Sequence, residues 1–600
     1  MSVKQLRLVC FNCIILLIVM FMKLKSLLPI LSWLPTYKKE WLKGDLSAGL
    51  TVGVMLIPQG MAYASIAGLP EVYGLYASIV PILIYAIFGT SRQLAVGPVA
   101  MVSLLTATTL GALGNLSLSD YINYALVLAL MVGGIQFLLG LFRLGFLVNF
   151  LSHPVISGFT SAAAFIIGLS QLKHLLGIEI PKSHHINEII LSAVKSSANI
   201  NWITLLIGFI GIVIIVVTKR YKKSLPSQLF AVIFGILTVV SFGLDKGEYT
   251  VNIVRDIPKS LPQFSFISIN LKTMQLLFPM ALTIALISFM ESIAVAKAIE
   301  KKHRNYKVIP NQELMALGLA NMAGSFFQSY PTTGGFSRTA VNNQAGAKTT
   351  MASIFSAALI ILTLLFLTPL FYNLPKAILA SVIMVAVFGL IDYKEAIYLW
   401  KSNRTDFYLL LVTFSSTLIL GIELGILIGV VLSLAMVIYK TTKPHVAVLA
   451  KVPGTHFYRN IDRFESLIPK DELLIFRFDA QIYFANTNYF KEKLEELVLQ
   501  KKDTLKLIII DGESINSIDS SGIHMLHDII DLYKQLHIAI AFTGIKGPVR
   551  DALEKGGIMK KISYEKCFMS IQEAVDAYEE GLKQKDLDMK YVEYLKQTNT

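Results

Sequence analysis

A polytopic α-helical membrane protein with a small soluble α/β domain at its C-terminal end is the architecture this sequence predicts, and three observations predict it. Of its 600 residues, 54% are hydrophobic and only 16% charged, with a mean hydropathy of +0.61; ordinary soluble domains carry roughly 25% charged residues. From about residue 45 to 440, apolar runs recur with short polar breaks, and at roughly 20 residues per span plus short loops that length holds about fourteen helices. After Lys443 the character changes to that of a water-soluble domain.

Taken in order, residues 1–44 are expected to be an N-terminal cytoplasmic segment, 45–443 the transmembrane domain, 444–585 the soluble domain and 586–600 a polar tail. The apolar stretch Val9 to Met22 falls short of the roughly 20 residues a span needs, and no signal-peptide cleavage site follows it clearly. Cys10 and Cys13 form a C-x-x-C, but no second cysteine pair or nearby histidine completes a metal site, and Cys567 is the only other cysteine. Neither a metal site nor a disulfide framework is expected. In the soluble part, with its boundary near Pro444 to Pro453, Leu473–Phe478, Leu507–Ile510 and Ile538–Thr543 read as strands. Asn488–Leu499 and Ile523–Gln535 read as amphipathic helices.

The formal net charge of +14 is informative by position. On an alternating trace, Lys38, Lys39, Lys43, Arg92, Arg143, Lys219, Arg220, Lys222, Lys223, Lys301, Lys302, Arg304, Lys348, Lys394, Lys401, Arg404, Lys440 and Lys443 fall on one face. The positive-inside rule makes that face cytoplasmic, with both termini on it. Nucleic acid is not needed to account for the charge and is not an expected partner.

Two pairs of polar or glycine-flanked breaks interrupt the apolar pattern. The first half carries Pro58-Gln59-Gly60-Met61-Ala62-Tyr63 and then Gly97-Pro98-Val99; the second carries Phe289-Met290-Glu291-Ser292 and then Gly334-Gly335-Phe336-Ser337-Arg338-Thr339. Broken segments at matching places in two halves point to a transporter of inverted repeats, with solute held near the bilayer midplane by opposed half-helix ends. Helix starts after Gly97-Pro98 and after Gly334-Gly335 would aim free backbone N–H groups at one place and hold an anion there. Val99, Ala100, Phe336, Ser337 and Arg338 are therefore the candidate substrate-binding residues, with Gln59 and Tyr63, four apart on one helix face, adding a hydrogen-bonding lining and an aromatic wall. The alternative for Arg338 is a boundary residue whose side chain snorkels to the membrane surface. Glu291, inside the run Leu276 to Ala298, is the candidate ion-coupling residue, because a carboxylate there costs at least ~2.5 kcal/mol unless it faces a cavity or is protonated. Its alternative is a structural partner for a helix end or a lysine. Glu423 reads as structural, at the turn between the last two spans, and Gly421, Gly425 and Gly429 read as a close helix-packing face.

In the soluble domain, Ile518-Asp519-Ser520-Ser521-Gly522 sits between a strand and a helix. Asp or Ser there caps the helix, and a phosphoserine at the same N-terminus would be tolerated by the helix dipole.

Several of these motifs carry a family resemblance. Pro58–Ala64, Tyr73-Gly74-Leu75-Tyr76 through Phe88-Gly89-Thr90-Ser91-Arg92, Gly97-Pro98, Asn311-Gln312-Glu313-Leu314 and Ser337–Asn342 resemble the sulfate permease (SulP) family of anion transporters, over about Leu28 to Tyr578. The Asp519-Ser520-Ser521-Gly522 segment resembles the STAS domain of those proteins. The resemblance implies a seven-plus-seven inverted repeat, a core domain moving against a gate domain, and a homodimer. It also implies an anion site between the third and tenth helices, at Gly97–Ala100 and Phe336–Arg338, with Gln59 and Tyr63 from the first, and H⁺ or Na⁺ coupling at Glu291. Ser521 matches the serine phosphorylated in the related antagonist proteins and is the candidate regulatory phosphosite. The first 21 residues depart from the family pattern.

The expected function is secondary active transport of an inorganic oxyanion, sulfate with H⁺ by an elevator-like shift, in the inner or plasma membrane. The alternatives are bicarbonate or dicarboxylate transport with Na⁺ or H⁺, and a channel or membrane sensor signalling to a cytoplasmic partner through the STAS domain. No nucleophile–base set indicates an enzyme, and no cofactor is expected beyond the coupling ion.

Overall fold

The computed structural model describes residues 27–579 except 115, 147–151, 179–190, 193–194, 197–198, 222–225, 247–249, 304, 465–466, 502–503 and 564–565. The expectations for Val9–Met22, Cys10, Cys13, Lys222, Lys223, Arg304 and the tail, and the side chain of Glu423, lie outside what is described. Two compact units emerge, Met1–Ser433 and Leu434–Thr600.

The first unit is built of α1 (Lys39–Ile66), α2 (Val72–Tyr76), α3 (Val80–Phe88), β1 (Val96–Gly97), α4 (Ala100–Gly111), α5 (Leu118–Leu141), α6 (His153–Ser170), α7 (Leu172–Leu176), α8 (Trp202–Tyr221) and α9 (Ser227–Phe242). It continues with α10 (Leu271–His303), α11 (Pro310–Ser325), β2 (Thr333–Gly334), α12 (Phe336–Gln344), α13 (Met351–Leu362), α14 (Lys376–Phe388), α15 (Tyr393–Ser402) and α16 (Arg404–Leu420), followed by α17 (Ile422–Thr442), in which the division between units falls. Among the described residues, 8 helices are long and apolar enough to cross a membrane, and Val72–Phe88, Ala100–Gly111 and Ser227–Phe242 are shorter apolar helices. Of the sequence breaks, Gly97-Pro98 leads into the short α4 and Gly334-Gly335 into the short α12, whereas Pro58–Tyr63 and Phe289–Ser292 lie inside the long α1 and α10; a half-helix ends in mid-membrane only where protein, not lipid, surrounds its free backbone groups.

Small residues let these helices approach. A Cβ on Gly133 of α5 would lie 2.7 Å from the Gly318 carbonyl of α11, and one on Gly49 of α1 would lie 2.5 Å from the Ala352 carbonyl of α13. In the Gly421/Gly425/Gly429 set, Gly425 and Gly429 abut Thr417 and Thr413 as the spacing predicts. Gly421 does not pack; with φ +91° it makes the break between α16 and α17, a conformation that glycine alone adopts cheaply.

The second unit contains β3 (Val446–Lys451), β4 (Tyr458–Asn460), β5 (Leu473–Phe478), α18 (Thr487–Gln500), β6 (Leu507–Asp511), α19 (Ser520–Gln535), β7 (Ala539–Thr543), α20 (Gly547–Lys555), α21 (Ile558–Ile562), β8 (Cys567–Phe568) and α22 (Ile571–Glu579). Its sheet runs β4-β3-β5-β6-β7-β8, antiparallel from β4 to β5 and parallel from β5 to β8. The stretch expected to be a boundary, Pro444 to Pro453, is mostly strand: Val446–Lys451 pairs with both β4 and β5. Its Val-Ala-Val-Leu-Ala run is buried on both faces, so it lacks the polar alternation that marks a half-exposed strand. Asp519 caps α19 through Oδ1, which accepts from the Gly522 N–H at 2.8 Å, while Oδ2 accepts from Phe484 N–H at 2.9 Å. Ser521 is half-buried in the first turn of that helix.

Candidate anion-binding site

The two glycine-flanked breaks meet. β1 and β2 pair antiparallel, Val96 opposite Gly334 and Gly97 opposite Thr333, and the ladder is extended by a bond from Gly335 N–H to the Ala95 carbonyl at 3.0 Å. From this crossing α4 departs with Val99 as N-cap and α12 with Gly335 as N-cap. Neither cap residue supplies a side-chain acceptor to the helix it opens, although Val99 and Ala100 are buried. Two sets of orphan N–H donors, each at the positive end of a helix dipole, are thereby brought to one place. Pro98 precedes the N-cap of α4, in the strand exit, and its carbonyl is used as an acceptor.

That acceptor serves Arg338. The guanidinium is 2% exposed and donates from Nη1 to the Pro98 carbonyl at 2.6 Å, whereas Nε and Nη2 are buried with no hydrogen-bond partner. Arg338 therefore does not snorkel: it reaches back from α12 across to the α4 break. Glycines make room for it, since a Cβ on Gly335 would come within 3.0 Å of its Cζ and Nη2. Phe336 and Ser337, the first residues of α12, are exposed.

Gln59 and Tyr63 lie buried on α1 next to Pro58, whose missing N–H leaves the Val54 carbonyl without its helical donor. Gln59 Oε1 is buried and unpartnered. Tyr63, Glu291 and Tyr330 all act electrostatically on Arg338, so the aromatic wall, the carboxylate and the cation belong to one neighbourhood. Glu291 sits in the interior of α10, half-buried, with Oε2 buried and unpartnered.

A set of polar side chains to which the sequence reading assigned no role holds β2 in place. Ser292, next to Glu291, accepts from Gly334 N–H at 2.7 Å and bonds Thr333 Oγ1 at 2.7 Å; Thr333 in turn donates to the Ser288 carbonyl at 2.6 Å. Asn321 of α11 clamps Thr332 through its Oδ1, which accepts from the backbone N–H at 2.8 Å, and it donates to Gln136 of α5 at 3.1 Å; Gln136 donates to Ser288 Oγ at 2.8 Å. All are buried. Their only signal in sequence is that they are polar residues inside apolar runs. They tie α5, α10 and α11 to the strand from which α12 departs.

The model of the sulfate permease family matches residues 42–413, and that of the STAS domain matches residues 466–574. The chain belongs to the sulfate permease family. It is 39% identical over 583 residues to sulfate transporter 4.1, chloroplastic, of Arabidopsis thaliana, covering 95% of this chain and 85% of that one. It is 41% identical over 564 residues to the probable sulfate transporter 4.2 of the same plant, covering 92% and 83%. Among solved structures, SLC26A9 aligns with a TM-score of 0.85 at 26% identity over 94% of both chains. The transmembrane domain of the cyanobacterial bicarbonate transporter BicA shares the fold at TM-score 0.57, 21% identity, 66% of this chain and 98% of that one.

Proposed function

We propose that this sulfate permease family member is a secondary active transporter of sulfate, coupled to H⁺ and working by an elevator-like shift of the elements that carry the site. The observation that carries the reading is the meeting of two helix N-termini without side-chain caps, over the β1–β2 crossing, with a buried guanidinium whose Nε and Nη2 have no partner. Backbone donors and a planar cation suit a tetrahedral oxyanion, which accepts from several directions at once. The names of the relatives support sulfate as that oxyanion.

Coupling follows from charge. An ionised Glu291 repels an anion held near Arg338, and a protonated one does not, so anion and proton bind more favourably together than separately. The empty site, with Arg338 charged and Glu291 ionised, is then neutral, and the loaded site with Glu291 protonated carries one negative charge instead of two, which lowers the cost of moving it through a low-dielectric environment. The basic face fits the cytoplasm of an inner or plasma membrane with both termini inside. A homodimer, and a cytoplasmic regulatory partner of the STAS domain engaging the Asp519–Gly522 corner with Ser521 as the regulated residue, complete the proposal.

The test is uptake of labelled sulfate into proteoliposomes holding the purified chain, under imposed pH and Na⁺ gradients, against bicarbonate and fumarate. Sulfate accumulation driven by an inward H⁺ gradient is expected. Uptake of another anion in its place, or accumulation that follows Na⁺ alone, overturns the corresponding part of the reading.

A further inference from the structure

We infer that the basic face of the first unit holds a second anion site, distinct from the β1–β2 crossing, for a tetrahedral phosphate group such as the headgroup of an anionic phospholipid. A cavity of about 290 Å³ lies between the Pro29–Trp33 segment, the turn that follows α3 and the loop that joins α10 to α11. Trp33, Thr90, Arg92, Asn305, Tyr306 and Lys307 line it. The volume is at the lower end of small-molecule sites, which fits a headgroup or a free oxyanion and not a large cofactor.

Among the described residues, two cations line this cavity and no acid does. The Arg92 guanidinium lies over the Tyr306 ring, 5.5 Å from its centroid, and among the described residues neither Arg92 nor Lys307 makes a side-chain hydrogen bond or ion pair. The acids that act on them from a distance are already satisfied. Asp45 accepts from the Lys348 and Thr349 backbone N–H groups, Thr349 Oγ1 and Tyr37 O–H. Glu300 accepts from Lys297 and from Val308 N–H.

The walls are fixed by buried bonds. Glu313, 0% exposed, accepts from Tyr85 O–H, from Thr90 N–H and Oγ1, and from Ser91 N–H, so its charge faces the turn and not the cavity. Thr90 Oγ1 also accepts from Ile309 N–H, and Tyr306 donates to Gln93. Fixed walls and a guanidinium already placed against Tyr306 leave little besides the Lys307 side chain to be ordered when an anion binds.

The surroundings favour a lipid as the source of the phosphate. Ile309, which lines the cavity, and Leu34, next in the chain to the lining Trp33, are exposed apolar side chains, and Leu42, Leu46 and Leu50 form an exposed stripe on α1. Acyl chains lie against such a stripe while basic pockets between helices take the headgroup. The same cavity borders the turn leading into β1 and the loop leaving the helix of Glu291, which gives a bound headgroup a route to the transport rate.

Native mass spectrometry of the full chain, titrated with dihexanoyl phosphatidylglycerol, dihexanoyl phosphatidylcholine, glycerol phosphate and inorganic phosphate, tests this. Wild type is expected to bind phosphatidylglycerol in preference to phosphatidylcholine. Lys307→Gln should weaken binding about fivefold and Arg92→Gln with Lys307→Gln about thirtyfold, from roughly one decharged contact each, with Arg92→Lys close to wild type. Glycerol phosphate or inorganic phosphate binding as tightly, with the same sensitivity to the variants, identifies a soluble phosphate as the occupant. Equal binding of both lipids, or binding unchanged in Lys307→Gln, an exposed position where folding is not at stake, overturns the site. The assay does not read sulfate, so its failure leaves the transport reading standing.

Discussion

The Arg338 guanidinium donates to the Pro98 carbonyl at 2.6 Å, joining two breaks that lie 240 residues apart in the chain. One end of the cation is thus held by the α4 break, and Nε and Nη2 are left without a partner. Arg338→Ala is expected to lower anion affinity by about ten- to a hundredfold, the equivalent of a charge-assisted hydrogen bond of roughly 1.5–3 kcal/mol. Arg338→Lys should fall between, keeping the charge but losing the planar fork, and Ser337→Ala should lose less than Arg338→Ala. Isothermal titration of purified protein with sulfate decides this, and wild-type affinity in Arg338→Ala would place the site elsewhere.

Gly335→Ala probes the same contact from the other side. Its Cβ would lie 3.0 Å from Arg338 Cζ and Nη2 and 3.3 Å from Val99 Cγ1, so the guanidinium must shift off its rotamer. A cost of about 0.5–1.5 kcal/mol translates to a two- to tenfold loss of affinity. Gly134→Ala on α5, where an added Cβ meets nothing within 4 Å, is the control and should bind as wild type does.

Glu291→Gln is expected to keep sulfate binding while losing accumulation against a gradient, since the amide cannot exchange a proton. Counterflow under equal pH on both sides should survive. Gradient-driven accumulation that persists unchanged in this variant removes Glu291 from the coupling step.

Truncation after Lys443 removes the whole sheet and is expected to lower expression or maximal rate while leaving apparent sulfate affinity within a few-fold. Truncation after Pro453 keeps β3 but deletes both of its partners, β4 and β5. An apolar strand with two open edges associates with copies of itself, so size-exclusion chromatography should show aggregate for the longer fragment only.

Burial pushes the Cys567 thiol up to about 12. A raised pKa favours the neutral thiol in the folded state, so its contribution is present below the unfolded value of about 8.5 and is lost as pH rises above it. Wild-type stability should therefore fall between pH 8 and 10 by up to about 1.4 kcal/mol per pH unit more steeply than that of Cys567→Ala. In a background lacking Cys10 and Cys13, maleimide labelling at neutral pH should require denaturant.

Much of the second unit was legible because local signals and final structure agree. β5 spans Leu473–Phe478 as expected, and α19 and β7 differ from expectation only at their ends. β3 was not legible: a strand buried on both faces reads as a featureless apolar run, and the prolines flanking it suggest a linker. β8 has two residues and exists only through its pairing with β7.

Sequence alone determined that this chain belongs in a membrane, that a soluble α/β domain follows, and that Gly97-Pro98 and Gly334-Gly335 interrupt helices, because apolar runs, charge and glycine act locally. Tertiary structure decided which donors converge. That Arg338 turns inward to the Pro98 carbonyl instead of out to the membrane surface, and that Ser292, Asn321 and Gln136 hold β2 against its helices, depends on contacts between residues far apart in the chain. A buried hydrogen bond is specified by two partners and the absence of water, and a linear sequence displays each partner singly.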